Sequence, residues 1–310
     1  MFHKQIVIID NKEIAAGYFV MELISSQIAQ NSFPGQFLHI KCSSDSQPLL
    51  RRPLSIHRVI DKKTIEILYK VVGKGTHYLS ERKKGGEIDC LGPLGNGFEL
   101  PKTENPLRNS MEFQGPKSRK SFRFLGGKPK TEILLVAGGI GIAPLFFLIE
   151  RITKTDNLLR NSMEFQGPKS RKSFRFLGGK PITVFIGAKT KDEILCANEL
   201  KSLGVELHIA TEDGSMGYKG LVSDLLKNNL SSVICHLSSV VYACGPKAML
   251  KEIALISKKH QIPCQVSFEQ FMGCGIGICN ACVIKTKHGY RRVCKDGPVF
   301  KSEEIDWNKI

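Results

Sequence analysis

Four cysteines near the carboxyl end constrain the fold of this chain more than any other feature. Cys274, Cys279 and Cys282 follow a C-x4-C-x2-C pattern, and Cys294 comes after eleven further residues. This is the plant-type spacing in which four thiolates hold a 2Fe-2S cluster, and the glycines between residues 273 and 277 allow a tight loop that aims backbone N–H groups at sulfur. The alternative is a four-cysteine zinc site, but zinc modules usually present two separated pairs of cysteines. The spacing therefore favours a 2Fe-2S cluster.

Short runs of β character fill the first hundred residues. They cover residues 5–9, 37–41, 54–59 and 64–72, and Gly, Pro, Asn and Ser clusters separate them. Several short strands at this spacing predict a small antiparallel β-barrel.

The pattern changes after residue 130. Continuous apolar runs at 133–137, 183–188, 205–210 and 240–244 alternate with helix-compatible stretches. Such runs are typical of strands buried on both faces, so we expect a doubly wound α/β domain with a parallel sheet. Residues 133–149 carry no charge and approach the length of a membrane span, but their central glycines and proline favour a strand, a turn and a helix start.

These changes in composition predict four regions. They are a barrel at 1–100, a linker at 101–130, an α/β domain at 131–262 and a cluster domain at 263–310.

A 23-residue segment occurs twice without a single change, at 107–129 and at 159–181. Each copy has a net charge of +5, so the two supply +10 of the formal net charge of +16. Both copies fall in predicted surface connections, where an insertion adds only a modest loop-closure cost. We interpret them as neutral insertions, with a basic docking patch as the alternative. Without the copies the charge is ordinary, which argues against a nucleic-acid binder.

The cysteine content and the amino-terminal sequence indicate a reducing compartment. The opening MFHKQIVIIDNKEI lacks the apolar block of a secretory signal, so we expect a cytoplasmic location and no disulfides. The cysteines outside the quartet and the YACGP motif are interpreted as structural: Cys42, Cys90, Cys196, Cys235 and Cys264.

Two motifs in the barrel region are suited to an anionic cofactor. RRPLSI at 51–56 places an arginine and a serine on one strand, where they can grip a pyrophosphate and reach a flavin edge. YKVVGKGT at 69–76 opens a helix-like stretch whose first N–H groups face an anion.

Two further motifs end apolar strands of the α/β region. GGIGIAPL at 138–145 forms a glycine-rich turn before a helix, which suits a dinucleotide pyrophosphate, although a tight packing turn is the alternative. YACGP at 242–246 ends another strand at the same edge, and its Cys244 either faces a nicotinamide or is a small buried side chain. The candidate residues for this site are Gly138, Gly139, Gly141, Pro144, Cys244, Gly245 and Pro246.

The order of these motifs, together with LGPLGNGF, FMGCGIGICNAC and VCKDGPVF, resembles the electron-transfer subunits of NAD-linked dihydroorotate dehydrogenase within the ferredoxin-reductase superfamily. The resemblance spans nearly the whole chain outside the two copies. It implies an FAD-binding barrel, a NAD-binding domain and a 2Fe-2S domain. The residues it implies for FAD are Arg52, Pro53, Leu54, Ser55, Leu68, Tyr69, Lys70, Gly75 and Thr76.

The resemblance also implies a partner and a direction for the chemistry. The partner is an FMN-containing catalytic subunit in a heterotetramer of two plus two, and electrons from dihydroorotate reach NAD through the cluster and FAD in pyrimidine (UMP) biosynthesis. No proton-transfer residue of this chain is expected to dominate. A sister ferredoxin:NADP oxidoreductase or a hydrogenase-linked subunit is the nearer alternative, and a nucleic-acid or membrane-surface binder is the more distant one.

Overall fold

The computed structural model describes residues 1–43, 47–100, 132–163, 182–233 and 239–310. The copy at 107–129 and residues 164–181 of the second copy lie outside these ranges, as does Cys235.

Six antiparallel strands close into a barrel in the order β1-β2-β5-β4-β3-β6. The strands are β1 (Phe2–Ala15), β2 (Tyr18–Ile24), β3 (Phe37–Lys41), β4 (Arg52–Val59), β5 (Thr64–Lys70) and β6 (Glu87–Leu94), and two short helices, α1 (Ser26–Asn31) and α2 (Lys74–Ser80), lie beside them. Alternate residues such as Leu38 and Ile40 are fully buried inside, because successive side chains of a strand point to opposite faces. The predicted barrel is confirmed.

A seven-stranded sheet follows, in the order β10-β9-β8-β7-β11-β12-β15. Its strands are β7 (Ile133–Gly138), β8 (Ile182–Ala188), β9 (Glu206–Thr211), β10 (Tyr218–Lys219), β11 (Val240–Cys244), β12 (Cys264–Ser267) and β15 (Val299–Lys301). Every pairing is parallel except that of β12 with β15. The helices are α3 (Ile142–Met163), α4 (Ala197–Ser202), α5 (Val222–Val233) and α6 (Lys247–Lys259).

Two details of this sheet differ from the sequence pattern. The helix α3 ends at Met163, so the second copy of the duplicated segment begins inside this helix rather than in a surface connection. The sheet also takes in β12 and β15, although the sequence places their residues in the cluster region. Both strands fill the sheet edge beside β11, which no local pattern specifies.

The cluster segment packs between barrel and sheet. It contains a hairpin of β13 (Val283–Thr286) and β14 (Gly289–Arg292). The Asn96 backbone N–H in the LGPLGNGF turn donates to the Gly297 carbonyl at 2.6 Å. Two of the motifs that carry the family resemblance therefore meet in space.

The barrel and the sheet are also joined by charged pairs. Arg58 on β4 donates to the buried Glu150 of α3 at 2.6 Å, and Lys70 on β5 donates to Glu193 at 2.9 Å. The stretch 133–149 forms a strand, a turn and the start of a helix, as expected. Among the described residues, none of the helices has both the length and the apolar character that crossing a membrane requires.

Candidate cofactor-binding site

Arg52 and Gly75 are in contact at the edge of the barrel. A Cβ atom at Gly75 would lie 2.8 Å from Nε of Arg52, so a larger residue there would displace the guanidinium from the start of α2. The guanidinium is fixed by donating to the Leu50 carbonyl at 2.7 Å. A partly exposed, held guanidinium is the group that binds phosphate through several N–H donors.

Thr76 has a structural task in the same turn. Its hydroxyl accepts from the N–H groups of Val72 at 2.9 Å and Gly73 at 3.3 Å, and it donates to the Gly73 carbonyl at 3.1 Å. The Thr76 hydroxyl is therefore used in hydrogen bonds within the turn. A contact between residue 76 and FAD would be made by the backbone.

The three candidates on β5 point to different faces. Tyr69 is buried in the barrel, where its hydroxyl donates to Asn11 at 3.0 Å and burial raises its pKa. Leu68 joins the core formed with α3, and Lys70 lies 4.7 Å from the centre of the Tyr18 ring. Because of this alternation, consecutive residues cannot all face one ligand through their side chains.

The glycine-rich candidates meet at one edge of the sheet. The ends of β7 and β11 are adjacent, and a Cβ atom at Gly245 would come within 3.0 Å of Gly138. A Cβ at Gly141 would lie 2.2 Å from the Cys244 carbonyl oxygen. Gly141 and Gly245 are therefore required for close backbone packing, and a Cβ atom at Gly138 would lie 2.7 Å from the Met249 sulfur, which supports the packing-turn interpretation for these positions.

Gly139 differs from these packed glycines. It has a φ of +53° and nothing within 4 Å of its Cβ position, so its backbone is open to a ligand. Pro144 is buried in the first turn of α3, where its missing N–H costs no hydrogen bond, and Pro246 directly precedes α6.

Cys244 is 1% exposed and packs in the core behind this turn, and burial raises its pKa. Its position agrees with the interpretation as a small buried side chain. Glu269, which sequence reasoning missed, lies near it and follows the adjacent strand β12. Glu269 is exposed, and desolvation raises the pKa of its carboxyl group.

The cysteine loop supplies sulfur and N–H groups together. The Cys274 sulfur accepts from the backbone N–H groups of Ile278 at 3.3 Å and of Ile276 and Cys279 at 3.5 Å. Burial acts to raise the pKa of Cys274, but these donors outweigh it and lower the pKa to about 6. A thiolate is thereby favoured before any metal binds.

The second half of the quartet is more deeply buried. The Cys294 N–H donates to the Cys282 sulfur at 3.4 Å, and burial, followed by the Cys282 thiol, raises the pKa of Cys294 to about 12. Cys282 and Cys294 are each 2% exposed, whereas Cys279 is exposed.

The backbone N–H of Cys279 thus donates to the Cys274 sulfur, and that of Cys294 donates to the Cys282 sulfur. Within the part of the chain that the structure describes, no three metal-binding side chains converge in a way that suits one ion. The chain nevertheless places three of the four cysteines in one loop whose backbone N–H groups donate to sulfur, as 2Fe-2S sites do, whereas zinc modules usually present two separated pairs. The donor set fits a 2Fe-2S cluster.

Sequence reasoning also missed His39. It is fully buried on β3 and lies against the cysteine loop, and burial, with the nearby Arg51 charge, lowers its pKa to about 4. Its spacing carries no motif, and the contact exists only because the chain folds back over 230 residues. The cysteines interpreted as structural behave accordingly where they are described: Cys42, Cys90 and Cys264 are buried and Cys196 is partly buried.

The barrel, the parallel sheet and the cysteine loop define an electron-transfer reductase of the ferredoxin-reductase type. Residues 269–306 match the iron-sulfur cluster binding domain of dihydroorotate dehydrogenase B, and residues 135–254 match an oxidoreductase NAD-binding domain. The chain belongs to the family of electron transfer subunits of dihydroorotate dehydrogenase B (NAD(+)). Relatives of that name from Desulforamulus reducens and Geobacillus sp. are 34% and 35% identical, over 95% and 98% of this chain and 94% and 99% of theirs.

Solved structures give the same result for the fold. The NADH-dependent reduced ferredoxin-NADP oxidoreductase matches with a TM-score of 0.72 and 28% identity, over 98% of this chain and 91% of that chain. A ferredoxin-NADP+ reductase from Neisseria gonorrhoeae, with bound FAD and NADP, matches at 0.56 and 15% identity, over 83% and 91%, and shows the fold alone.

The predicted fold class, the electron-transfer function and the oxidoreductase assignment are confirmed, and the matches support the predicted 2Fe-2S cluster, FAD and NAD. The relatives' names do not favour the sister reductase, and they imply a catalytic partner subunit.

Proposed function

We propose that the chain conveys electrons from dihydroorotate, oxidised at the FMN of a partner catalytic subunit, through its 2Fe-2S cluster and FAD to NAD+. When bound, FAD exchanges a hydride with nicotinamide and single electrons with the cluster. It is needed between them because nicotinamide transfers two electrons together and the cluster transfers one at a time. The partner assembly of two plus two and the cytoplasmic location belong to this proposal.

One observation carries the proposal: the cysteine loop lies against the barrel strand next to the flavin motif. Gly275 of the loop contacts His39 on β3, and His39 pairs with Pro53 of the RRPLSI motif on β4. The loop that carries the cluster cysteines therefore packs on the strand that neighbours the flavin motif.

In this proposal, different residues bind FAD, the nicotinamide dinucleotide and the cluster. Arg52 holds the FAD pyrophosphate, with Gly75 giving it room. The open backbone of Gly139 receives the nicotinamide dinucleotide at the sheet edge. Cys274, Cys279, Cys282 and Cys294 hold the irons, and the N–H groups around Cys274 stabilise negative charge on sulfur.

The partner face is proposed at the exposed rim of the cysteine loop. Phe271 and Ile278 are 94% and 75% exposed and flank Cys274 in sequence, and Cys279 is exposed beside them. Large apolar side chains exposed near a redox site are typical of a surface that a partner covers.

The cluster assignment is tested by exchanging cysteines inside and outside the quartet. In anaerobically reconstituted chain, Cys274→Ser should abolish the cluster's visible absorption and its electron paramagnetic resonance signal, because serine is a poor ligand for iron. The matched control Cys264→Ser, at a buried cysteine of β12, should keep both.

Iron, sulfide, zinc and flavin contents are measured on the same samples. The proposal expects iron and sulfide in equal amounts together with FAD, and flavin reduction on adding NADH. Stoichiometric zinc in the unaltered chain, or a full cluster signal in Cys274→Ser, would contradict it.

A further inference from the structure

His39 is a buried polar side chain whose ring nitrogens are unpaired. It is 0% exposed, and neither Nδ1 nor Nε2 finds a hydrogen-bonding partner among the described residues. Buried polar atoms are normally paired, because losing water without gaining a partner is destabilising. We therefore expect the buried imidazole of His39 to have a function that a hydrocarbon side chain could not perform.

The position of the ring indicates that task. Leu38 and Ile40 on either side of His39 point into the barrel core, so His39 projects from the opposite face of β3. There a Cβ atom at Gly275 would come within 2.4 Å of Nδ1 and 3.0 Å of Cε1. The imidazole occupies the space that any other residue at position 275 would need, and the loop is seated on the ring.

The ring also lies between two functional segments. Arg51, which begins the RRPLSI motif, and Gly275, which follows the first cysteine of the quartet, both contact His39. The Arg51 guanidinium in turn donates to the His39 carbonyl at 3.4 Å and to Asp89 at 2.7 Å. His39 is thus held at the junction of the flavin strand and the cluster loop.

We propose that His39 is a positioning residue for the cluster, which seats the Cys274–Gly275 turn on the barrel and directs a ring N–H toward the sulfur side of that turn. The inference rests on the proposed function, since it takes Cys274 as a cluster ligand. A hydrogen bond donated toward cluster sulfur stabilises the reduced form, which carries the extra negative charge. Removing this donor should therefore make the cluster harder to reduce.

The test compares His39→Leu, which keeps bulk and loses the N–H, with His39→Gln, which keeps an N–H donor. Ile40→Val is the matched control, because it alters barrel packing on the same strand without facing the loop. The cluster's reduction potential is measured on each reconstituted chain by a redox titration followed by electron paramagnetic resonance. Flavin reduction by NADH is recorded in parallel.

We expect His39→Leu to shift the cluster's oxidised-to-reduced equilibrium toward the oxidised form by roughly fivefold, the effect of one ordinary hydrogen bond. His39→Gln should shift it less, Ile40→Val should not shift it, and flavin reduction by NADH should be unchanged in all three. An unaltered potential in His39→Leu, or equal shifts in the leucine and glutamine variants, would overturn the inference.

If the leucine variant does not fold, the glutamine variant carries the test alone: a potential close to that of the unaltered chain supports the inference, and a fivefold shift overturns it. Failure of the proposed function is seen separately, because the unaltered chain would then show no cluster signal.

Discussion

At the scale of single residues, two glycines at the sheet edge have different functions because their surroundings differ. Gly141 has no room for a Cβ atom, since the Cys244 carbonyl oxygen would lie 2.2 Å away. Gly139, two residues earlier, has open space around it. The GGIGIAPL motif could be found in the sequence, but the different tasks of its glycines depend on the neighbouring strand.

Gly141→Ala should force β7 and β11 apart at the nucleotide edge, at a cost of about 1–3 kcal/mol for overpacking. We expect a lower melting temperature and a severalfold increase in the NADH concentration that gives half-maximal flavin reduction. Gly204→Ala is the control, because it introduces an unfavourable φ of +73° with nothing within 4 Å. It should leave the NADH dependence unchanged, and equal effects of the two substitutions would contradict the packing argument.

At the scale of elements, the contact of β4 and β5 with α3 and α4 encloses a group of titratable side chains. His57 Nδ1 lies 3.1 Å from the Ala143 carbonyl, so it donates there, and Nε2 lies 3.5 Å from Glu66 and 3.9 Å from the Cys196 sulfur. Burial lowers the pKa of His57 to about 4 and raises that of Glu66 to about 7. Both shifts favour the neutral forms, so this contact is not an ion pair at neutral pH.

The raised pKa of Glu66 gives a pH dependence of definite sign. Between about pH 4.5 and 7 the folded chain keeps a proton that the unfolded chain releases, so the free energy of unfolding falls as pH rises. His57 acts oppositely below about pH 6.5, where the unfolded chain binds a proton that the folded chain does not.

Glu66→Gln removes the pH dependence of stability that is due to Glu66 and keeps the one that is due to His57. Relative to the unaltered chain, the variant should gain stability between pH 5 and pH 8, by up to about 3 kcal/mol for a shift of this size. Melting temperatures of both proteins at the two pH values measure this difference. Glu87→Gln, at an exposed carboxylate of β6, should show no such trend. A constant difference between Glu66→Gln and the unaltered chain would refute the assignment.

At the scale of the whole molecule, the barrel, the sheet and the cluster segment meet at one place. The Asn96 turn binds the Gly297 turn, and His39 contacts the cysteine loop. The exposed side of that loop carries Phe271 and Ile278. This arrangement leaves one face of the cysteine loop exposed as the proposed partner face, and the barrel covers the opposite face.

Phe271→Asp should weaken association with the catalytic subunit by about tenfold or more, because a large aromatic group near the centre of an interface commonly contributes 2 kcal/mol or above. Leu255→Asp is the control, since Leu255 is 47% exposed on α6. Co-expressed subunits are compared by the amount of complex and its mass. Unchanged association in Phe271→Asp would place the partner elsewhere.

Much of this protein is determined by sequence alone because its signals are local. Strand alternation, apolar runs before glycine turns, and cysteine spacing each arise within about twenty residues, and they predict the barrel, the α/β sheet and the ligand set. The duplicated segment is equally plain in sequence, and its neutrality stays a prediction.

Only the tertiary structure decided which of these residues meet. The unpaired ring of His39 under Gly275, the buried His57–Glu66 contact and the placement of β15 beside β12 join residues far apart in the chain. Such contacts depend on how whole elements pack, and packing is a property of shape and burial that no short stretch of sequence contains. Local sequence patterns specified the strands, the helices and the cysteine loop. The burial of the surfaces between these elements fixed the distances between them.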